Sequence, residues 1–192
     1  MNIVIFGPPG AGKGTQSNFI AQKFQLHQLS TGELLRNEIN KKTDLGKQIS
    51  STIKKGNLVS DKIVGDLIAK YISDDEYKNR IIFDGYPRNL EQAKNLESLL
   101  KKNNQKIDVS LKLSVSLETI KQRISSRKNL EKRSDDSEDI AIKRYKTYEI
   151  NIEPVIDFYK KSNLLKVVDG EGTITEISDK IGDLIDGIKG WL

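Results

Sequence analysis

The segment Gly7-Pro8-Pro9-Gly10-Ala11-Gly12-Lys13-Gly14-Thr15 follows directly on the apolar run Ile3-Val4-Ile5-Phe6. Glycine carries no Cβ, so successive backbone N–H groups can converge on an anion there. A helix beginning at this point adds its positive end, and Lys13 adds a mobile full charge. The chemistry this supports is phosphate binding. A glycine-rich string alone would be weak grounds. Here a buried strand before it and an amphipathic helix after it, carried by Thr15, Phe19, Ile20 and Phe24, supply the setting such a loop needs. In the general form of this loop a hydroxyl follows the lysine and binds magnesium. Gly14 takes that place and Thr15 stands one further on, so the metal is expected to be held through water.

A second group of residues fits the same chemistry. Ile81-Ile82-Phe83-Asp84-Gly85-Tyr86-Pro87-Arg88 sets an acid at the exit of a buried strand, then a turn, then an arginine. A carboxylate beside a phosphate loop calls for a cation between them, which makes Asp84 the expected holder of magnesium-bound waters. The structural alternative is a turn or cap aspartate. Arg123 and Arg127, four apart, share one helix face. Like charges there repel by a few tenths of a kcal/mol, roughly, but an anion between them and the loop reverses the sign. Arg133 and Arg144 continue the series, and with Arg88 these arginines could surround a phosphoryl group in transfer, a task suited to the planar guanidinium fork. Singly, each could equally be a surface ion pair. Asp135-Asp136-Ser137 reads first as the start of a helix. His27, the single histidine, reads as a packed or edge residue.

Strands and helices alternate in the elements that must hold these residues. Apolar runs at Ile3 to Phe6, Ile81 to Phe83, Val109 to Val115 and Leu164 to Val168, with a weaker one at Leu26 to Leu29, predict strands. Helical periodicity predicts helices at Thr15 to Phe24, Ile63 to Ile72, Leu90 to Leu100, Leu117 to Ser126, Ile140 to Ile150 and Ile174 to Ile188. This alternation implies a parallel sheet covered on both faces, an α/β fold of three layers. Pro154 is expected to kink or restart its helix, with Glu153 pushed out of helical geometry. Residues 30 to 60 carry helical pattern without a strand, and residues 127 to 137 are too polar for a core. Both are read as excursions above the strand ends, where ligands bind in open parallel sheets.

Composition narrows the class. A chain of 192 residues fits one α/β domain with small inserted lobes. Having no cysteine, it excludes disulfides and cysteine zinc sites and suits a reducing compartment. No secretory signal or membrane-spanning run is read, so a soluble, cytoplasmic protein is expected. The net charge of +5 raises nucleic acid as a partner. Against it, the lysine pairs at 41–42, 54–55, 101–102 and 160–161 have no aromatic platform beside them and read as solvated helix faces.

The phosphate loop with Gln16 resembles that of the nucleoside monophosphate kinases, and within them the adenylate kinases. Ser30-Thr31-Gly32-Glu33-Leu34-Leu35-Arg36, Gly56-Asn57-Leu58-Val59, Asp84-Gly85-Tyr86-Pro87-Arg88 with Gln92, Arg123 with Arg127, Arg133-Ser134-Asp135-Asp136, Arg144 and Val168-Asp169-Gly170 resemble that family's motifs in order along nearly the whole chain. The resemblance implies a P-loop core with a five-stranded parallel sheet, an acceptor-binding lobe over residues 30–59 and a short lid over 126–136 without a zinc insertion. It implies an ATP site of Gly10, Ala11, Gly12, Lys13, Gly14, Thr15, Arg123, Arg127 and Gly172, and an AMP site of Thr31, Arg36, Asn57, Leu58, Val59, Gly85, Tyr86, Pro87, Arg88, Gln92, Arg133 and Arg144. Lys13, Arg88, Arg123, Arg133 and Arg144 would be catalytic, Asp84 would hold magnesium through water, and Asp135 and Asp136 would help set the closed lid. Asn57, Lys132 and Tyr86 depart from the common residues at their positions.

The expected reaction is reversible transfer of the ATP γ-phosphoryl group to AMP, giving two ADP, by a monomer. A UMP/CMP kinase is the nearest alternative, against which Thr31 and Gln92 argue. A non-catalytic nucleotide-binding module is a further one, against which the full arginine set argues.

Overall fold

Ile3, Val4, Ile5 and Phe6 are all buried, as a strand in the middle of a sheet covered on both faces must be. The fold is taken from a computed structural model that describes residues 1–131 and 138–189, with the backbone alone described for 127–131, 138 and 189. β1 (Ile3–Phe6) pairs in parallel with β3 (Ile81–Asp84) on one side and β4 (Val109–Ser114) on the other. β2 (His27–Ser30) and β5 (Leu165–Asp169) form the edges, so the five strands run β2-β3-β1-β4-β5, all parallel. This is the expected α/β sheet, with strand ends displaced by a residue or so.

Alternation along β1 divides the core in two. Val4 and Phe6 join Leu29, Phe83, Leu96, Val155 and Tyr159 on one face. Ile3 and Ile5 join Ile20, Leu111, Leu113 and Ile181 on the other, under α1 (Lys13–Phe24) and α8 (Ile174–Lys189). The first face is covered by α4 (Asp61–Ile72), α5 (Leu90–Lys102) and α7 (Glu138–Lys161). The starts of the strands are tied by a buried polar set. Asn2 Nδ2 donates to Gln105 Oε1 and the Lys106 carbonyl, and Asn2 Oδ1 accepts from the Ile81 amide.

After Ser30, which ends β2, residues 31–60 hold α2 (Thr31–Asn40) and α3 (Asp44–Lys54), without a strand. Thr43 caps α3, its Oγ1 accepting from the Gly46 amide at 3.0 Å.

Two expectations are corrected. α7 runs unbroken through Glu153 and Pro154, with no restart. An internal proline costs about 3 kcal/mol, but Ile152, Val155 and Tyr159 are buried at helical spacing around it. Burying each large apolar side chain returns about 1.5–3 kcal/mol, so packing prevails over local preference. α6 (Leu117–Glu131) continues five residues beyond the expected end at Ser126. Arg127, Lys128, Leu130 and Glu131 are good helix formers, and polarity does not stop an exposed helix. The side chain of Arg127, together with Arg133, Asp135 and Asp136, lies outside the described residues.

Candidate active site

Many of the predicted groups follow directly on the carboxyl ends of the strands. β1 ends into the phosphate loop, β2 into Thr31, β3 into Gly85 to Arg88, and β5 into the turn of Gly170 to Thr173. Chain connections from β1 and β3 leave in opposite directions along the sheet, which opens a crevice at this edge.

The loop is shaped by its glycines. Gly10 and Gly12 have φ of +86° and +93°, values that L side chains rarely adopt. A Cβ on Gly10 would also come within 3.0 Å of Ile124 Cγ1. α1 begins at Lys13, two residues earlier than the periodicity predicted, so Gly14 and Thr15 lie in its first turn. Lys13 Nζ donates to the carbonyls of Gly7 at 2.7 Å and Pro8 at 3.0 Å, bracing the loop. Asp84 is buried at the end of β3, where its Oδ2 accepts from Gln28 Nε2 at 3.2 Å. That oxygen lies 3.8 Å from where a Cβ on Gly14 would stand, so the carboxylate borders the loop directly.

Beside the loop opens a cleft of about 130 Å³, bordered by Lys13, Arg36, Arg88 and Arg144. Thr31, Asn57, Leu58, Val59, Gly85, Pro87 and Gln92 also line it. Thr31 Oγ1 and Arg88 Nε both donate to the Gly85 carbonyl, at 3.0 and 2.6 Å. Gln92 Oε1 accepts from the Arg88 amide at 2.7 Å, and Gln92 Nε2 donates to Asp61 Oδ1 at 2.7 Å. One N–H and one lone pair of that amide remain for a ligand. Tyr86 differs from the rest: its side chain is 1% exposed, in the core, and its hydroxyl accepts from Asn95. Its neighbours Gly85 and Pro87 line the cleft, and Tyr86 does not.

On the other flank of the loop, Arg123 donates to the Ala11 carbonyl at 3.2 Å and to the Gly170 carbonyl at 2.8 Å. It therefore spans from the phosphate loop to the turn that contains Gly172. His27 packs edge-on to Tyr77, ring centroids 4.8 Å apart, far from this chemistry in kind as expected.

Several lining residues escaped the sequence reading. Tyr148 and Ile152 border the cleft one and two turns after Arg144 on α7. Burial pushes the Tyr148 hydroxyl well above its ordinary pKa of 10.0, so it stays neutral even into alkaline pH. Their spacing of four and eight residues from Arg144 was a signal for both. Asp61, which accepts from Gln92 and Asn89, had no signal in the chain, because it comes from a different helix. Lys143 Nζ reaches Asn57 Oδ1 at 2.6 Å and the Lys55 carbonyl at 3.0 Å, joining α7 to the 30–59 region.

Among the described residues no cluster of three His, Cys, Asp or Glu is placed to hold a metal, and no helix is long and apolar enough to cross a membrane.

A parallel sheet whose first strand feeds a phosphate loop, with arginines from three further segments converging on a cleft beside it, defines a P-loop phosphotransferase. Comparison with known proteins sharpens this. The model of the adenylate kinase family matches residues 5–164. The adenylate kinase of Pelagibacter ubique (strain HTCC1062) is 43% identical, over 96% of this chain and 99% of its own length. Those of Porphyromonas gingivalis (strain ATCC 33277) and Thermococcus onnurineus (strain NA1) are 39% and 37% identical, each over 98% of this chain and 97% and 95% of their own lengths. The chain belongs to the adenylate kinase family, and its activity is that of this nucleoside monophosphate kinase.

Proposed function

We propose that the cleft beside Lys13 receives AMP and that the phosphate loop with Arg123 and the 170–173 turn receives ATP, the γ-phosphoryl group passing between them. The observation that carries this reading is the convergence of Lys13, Arg36, Arg88 and Arg144 on one cleft bordered by the phosphate loop. Four cations around a small space suit the crowded negative charge of two facing phosphate chains. Phosphoryl transfer leaves little covalent work to the protein, so these residues align the acceptor oxygen and neutralise the charge spread over the migrating group. No general base is needed, since the acceptor phosphate is already an anion at neutral pH.

Arg36 is assigned to the acceptor phosphate and Gln92 to the adenine edge, its spare donor and acceptor matching the amine and the neighbouring ring nitrogen. Asp84 fits magnesium held through water: it is a lone carboxylate against Gly14, and magnesium keeps several of its waters. Bound with ATP, the ion would neutralise phosphate charge. Lys13, Arg88, Arg123, Arg133 and Arg144 are assigned to the transferring group, Arg127 and Gly172 to ATP. Residues 126–136 are assigned to a short lid that excludes water, and residues 30–59 to the acceptor lobe. A cysteine-free chain with scattered lysines suits a cytoplasmic monomer without a nucleic-acid partner.

Steady-state rates with ATP and each of AMP, CMP, UMP and GMP test the reading. AMP should be strongly preferred, and Arg36→Ala should raise the KM for AMP roughly tenfold to a hundredfold, the value of a hydrogen bond to a charged group. The KM for ATP should stay near its original value. CMP or UMP outperforming AMP would replace the adenylate assignment with a pyrimidine one.

A further inference from the structure

Glu171 follows Gly170 in the turn between β5 and α8, and its carboxylate reaches across to the first turn of α6. One oxygen accepts from the Ser116 amide and the other from Thr119 Oγ1, at 2.5 Å. Ser116 Oγ donates to Thr119 Oγ1 and accepts from the Thr119 amide, so the three residues form one closed set at the start of the helix. On the other side of the turn, the Glu171 amide donates to Asp169 Oδ1 and the Gly170 amide donates to the Ser114 carbonyl. The turn is thus anchored to β4 through Gly170, and to β5 and the start of α6 through Glu171.

Thr119 and Arg123 are one turn apart on α6 and face the same way. Thr119 holds Glu171 while Arg123 holds the carbonyl of its neighbour Gly170 and, beyond it, the carbonyl of Ala11 in the phosphate loop. A path of direct hydrogen bonds therefore runs from Glu171 through α6 and the 170–173 turn to the loop. The Thr119 hydroxyl and then the Ser116 amide hold the Glu171 carboxyl below its ordinary pKa, and Arg123 adds to this, so the group is ionised at neutral pH.

We propose that Glu171 is a positioning residue for the donor nucleotide: it latches the 170–173 turn to α6 and thereby holds Arg123 and that turn against the phosphate loop. This rests on the assignment of the loop, Arg123 and the turn to ATP. It assigns to Glu171 no contact with the reacting atoms. Loosening the latch lets the turn and Arg123 drift together, which weakens ATP and leaves AMP unaffected, because the acceptor cleft lies on the other flank of the loop.

The test is a set of single and double variants assayed for KM against ATP and AMP separately. Glu171→Ala should raise the KM for ATP about fivefold or more while changing the KM for AMP less than twofold. Glu171→Gln should restore the KM for ATP to within about twofold, since the amide can accept from Ser116 and donate to the Thr119 oxygen. Thr119→Val should reproduce the Glu171→Ala effect, and combining the two should add less than twofold, as expected for partners in one interaction. Glu171 is exposed, so these variants are expected to fold, and thermal melting checks it. Arg123→Ala separates the two readings. If it raises the KM for ATP and Glu171→Ala does not, the latch is wrong and the donor site stands. If neither changes that KM, the donor assignment itself is wrong. Equal rises in both substrates' KM, or additive effects of Glu171→Ala and Thr119→Val, overturn the proposal.

Discussion

Thr173 and Glu176 close a reciprocal cap on α8. Glu176 Oε2 accepts from the Thr173 amide at 2.8 Å and from its hydroxyl at 2.9 Å, and the Glu176 amide donates to Thr173 Oγ1 at 3.3 Å. This satisfies amides that a helix start leaves without partners, and it places a negative charge at the positive end of the helix. The Thr173 amide first, and then its hydroxyl, lower the Glu176 pKa from the ordinary 4.5. A carboxyl lowered in the folded state adds stability above its unfolded pKa and loses it as pH falls through the folded value. Glu176→Ala should therefore melt below the parent at neutral pH, and the gap should shrink as pH drops below 4.5. Melting curves across that range check this; a gap that widened in acid would mean the carboxylate is not what stabilises the cap.

At the scale of elements, the packing of α2 on α3 turns on a single glycine. A Cβ on Gly46 would stand 2.0 Å from the Glu38 carbonyl oxygen and 2.4 Å from its carbon, both backbone atoms. Replacing a helical glycine with alanine ordinarily stabilises by about 1 kcal/mol. Here the close approach decides the sign, because backbone must move to admit the methyl group. Gly46→Ala should cost about 1–3 kcal/mol, the usual range for overpacking, and should raise the KM for AMP more than that for ATP. Denaturant unfolding measures the first and kinetics the second. A stabilised variant would show that the two helices separate freely. α7 teaches the same point from the other direction, since burial of Ile152, Val155 and Tyr159 carries a helix through a proline that local rules would place at its end.

For the molecule as a whole, phosphoryl transfer needs water kept from the migrating group, which calls for the segments proposed as acceptor lobe and lid to close when both substrates are present. Hydrogen exchange with and without a bisubstrate analogue should show added protection in residues 30–59 and 126–136, beyond any gained in the phosphate loop. Protection confined to the loop would mean that neither segment closes over substrate. The contacts of Lys143 with Asn57 and Lys55 already join α7 to the first of these segments, so the two are expected to respond together.

The sequence by itself determined the phosphate loop, the five strands and many of the polar residues that line the cleft. These are written locally: glycine where φ is positive, apolar runs where both sheet faces are covered, an acid at a strand exit. The tertiary structure alone decided which of them meet and how. Tyr86 belongs to a motif yet is turned into the core, whereas Asp61, Tyr148 and Glu171 belong to none that the chain announces and join the site or its support from other elements. The course of α7 through Pro154 and the extension of α6 to Glu131 were likewise settled in three dimensions or by helix propensity rather than by pattern. The physical reason is range. A turn or a strand is fixed by its neighbours in the chain, but a hydrogen bond such as that from Thr119 to Glu171, 52 residues apart, exists only after the sheet has brought β4 and β5 side by side.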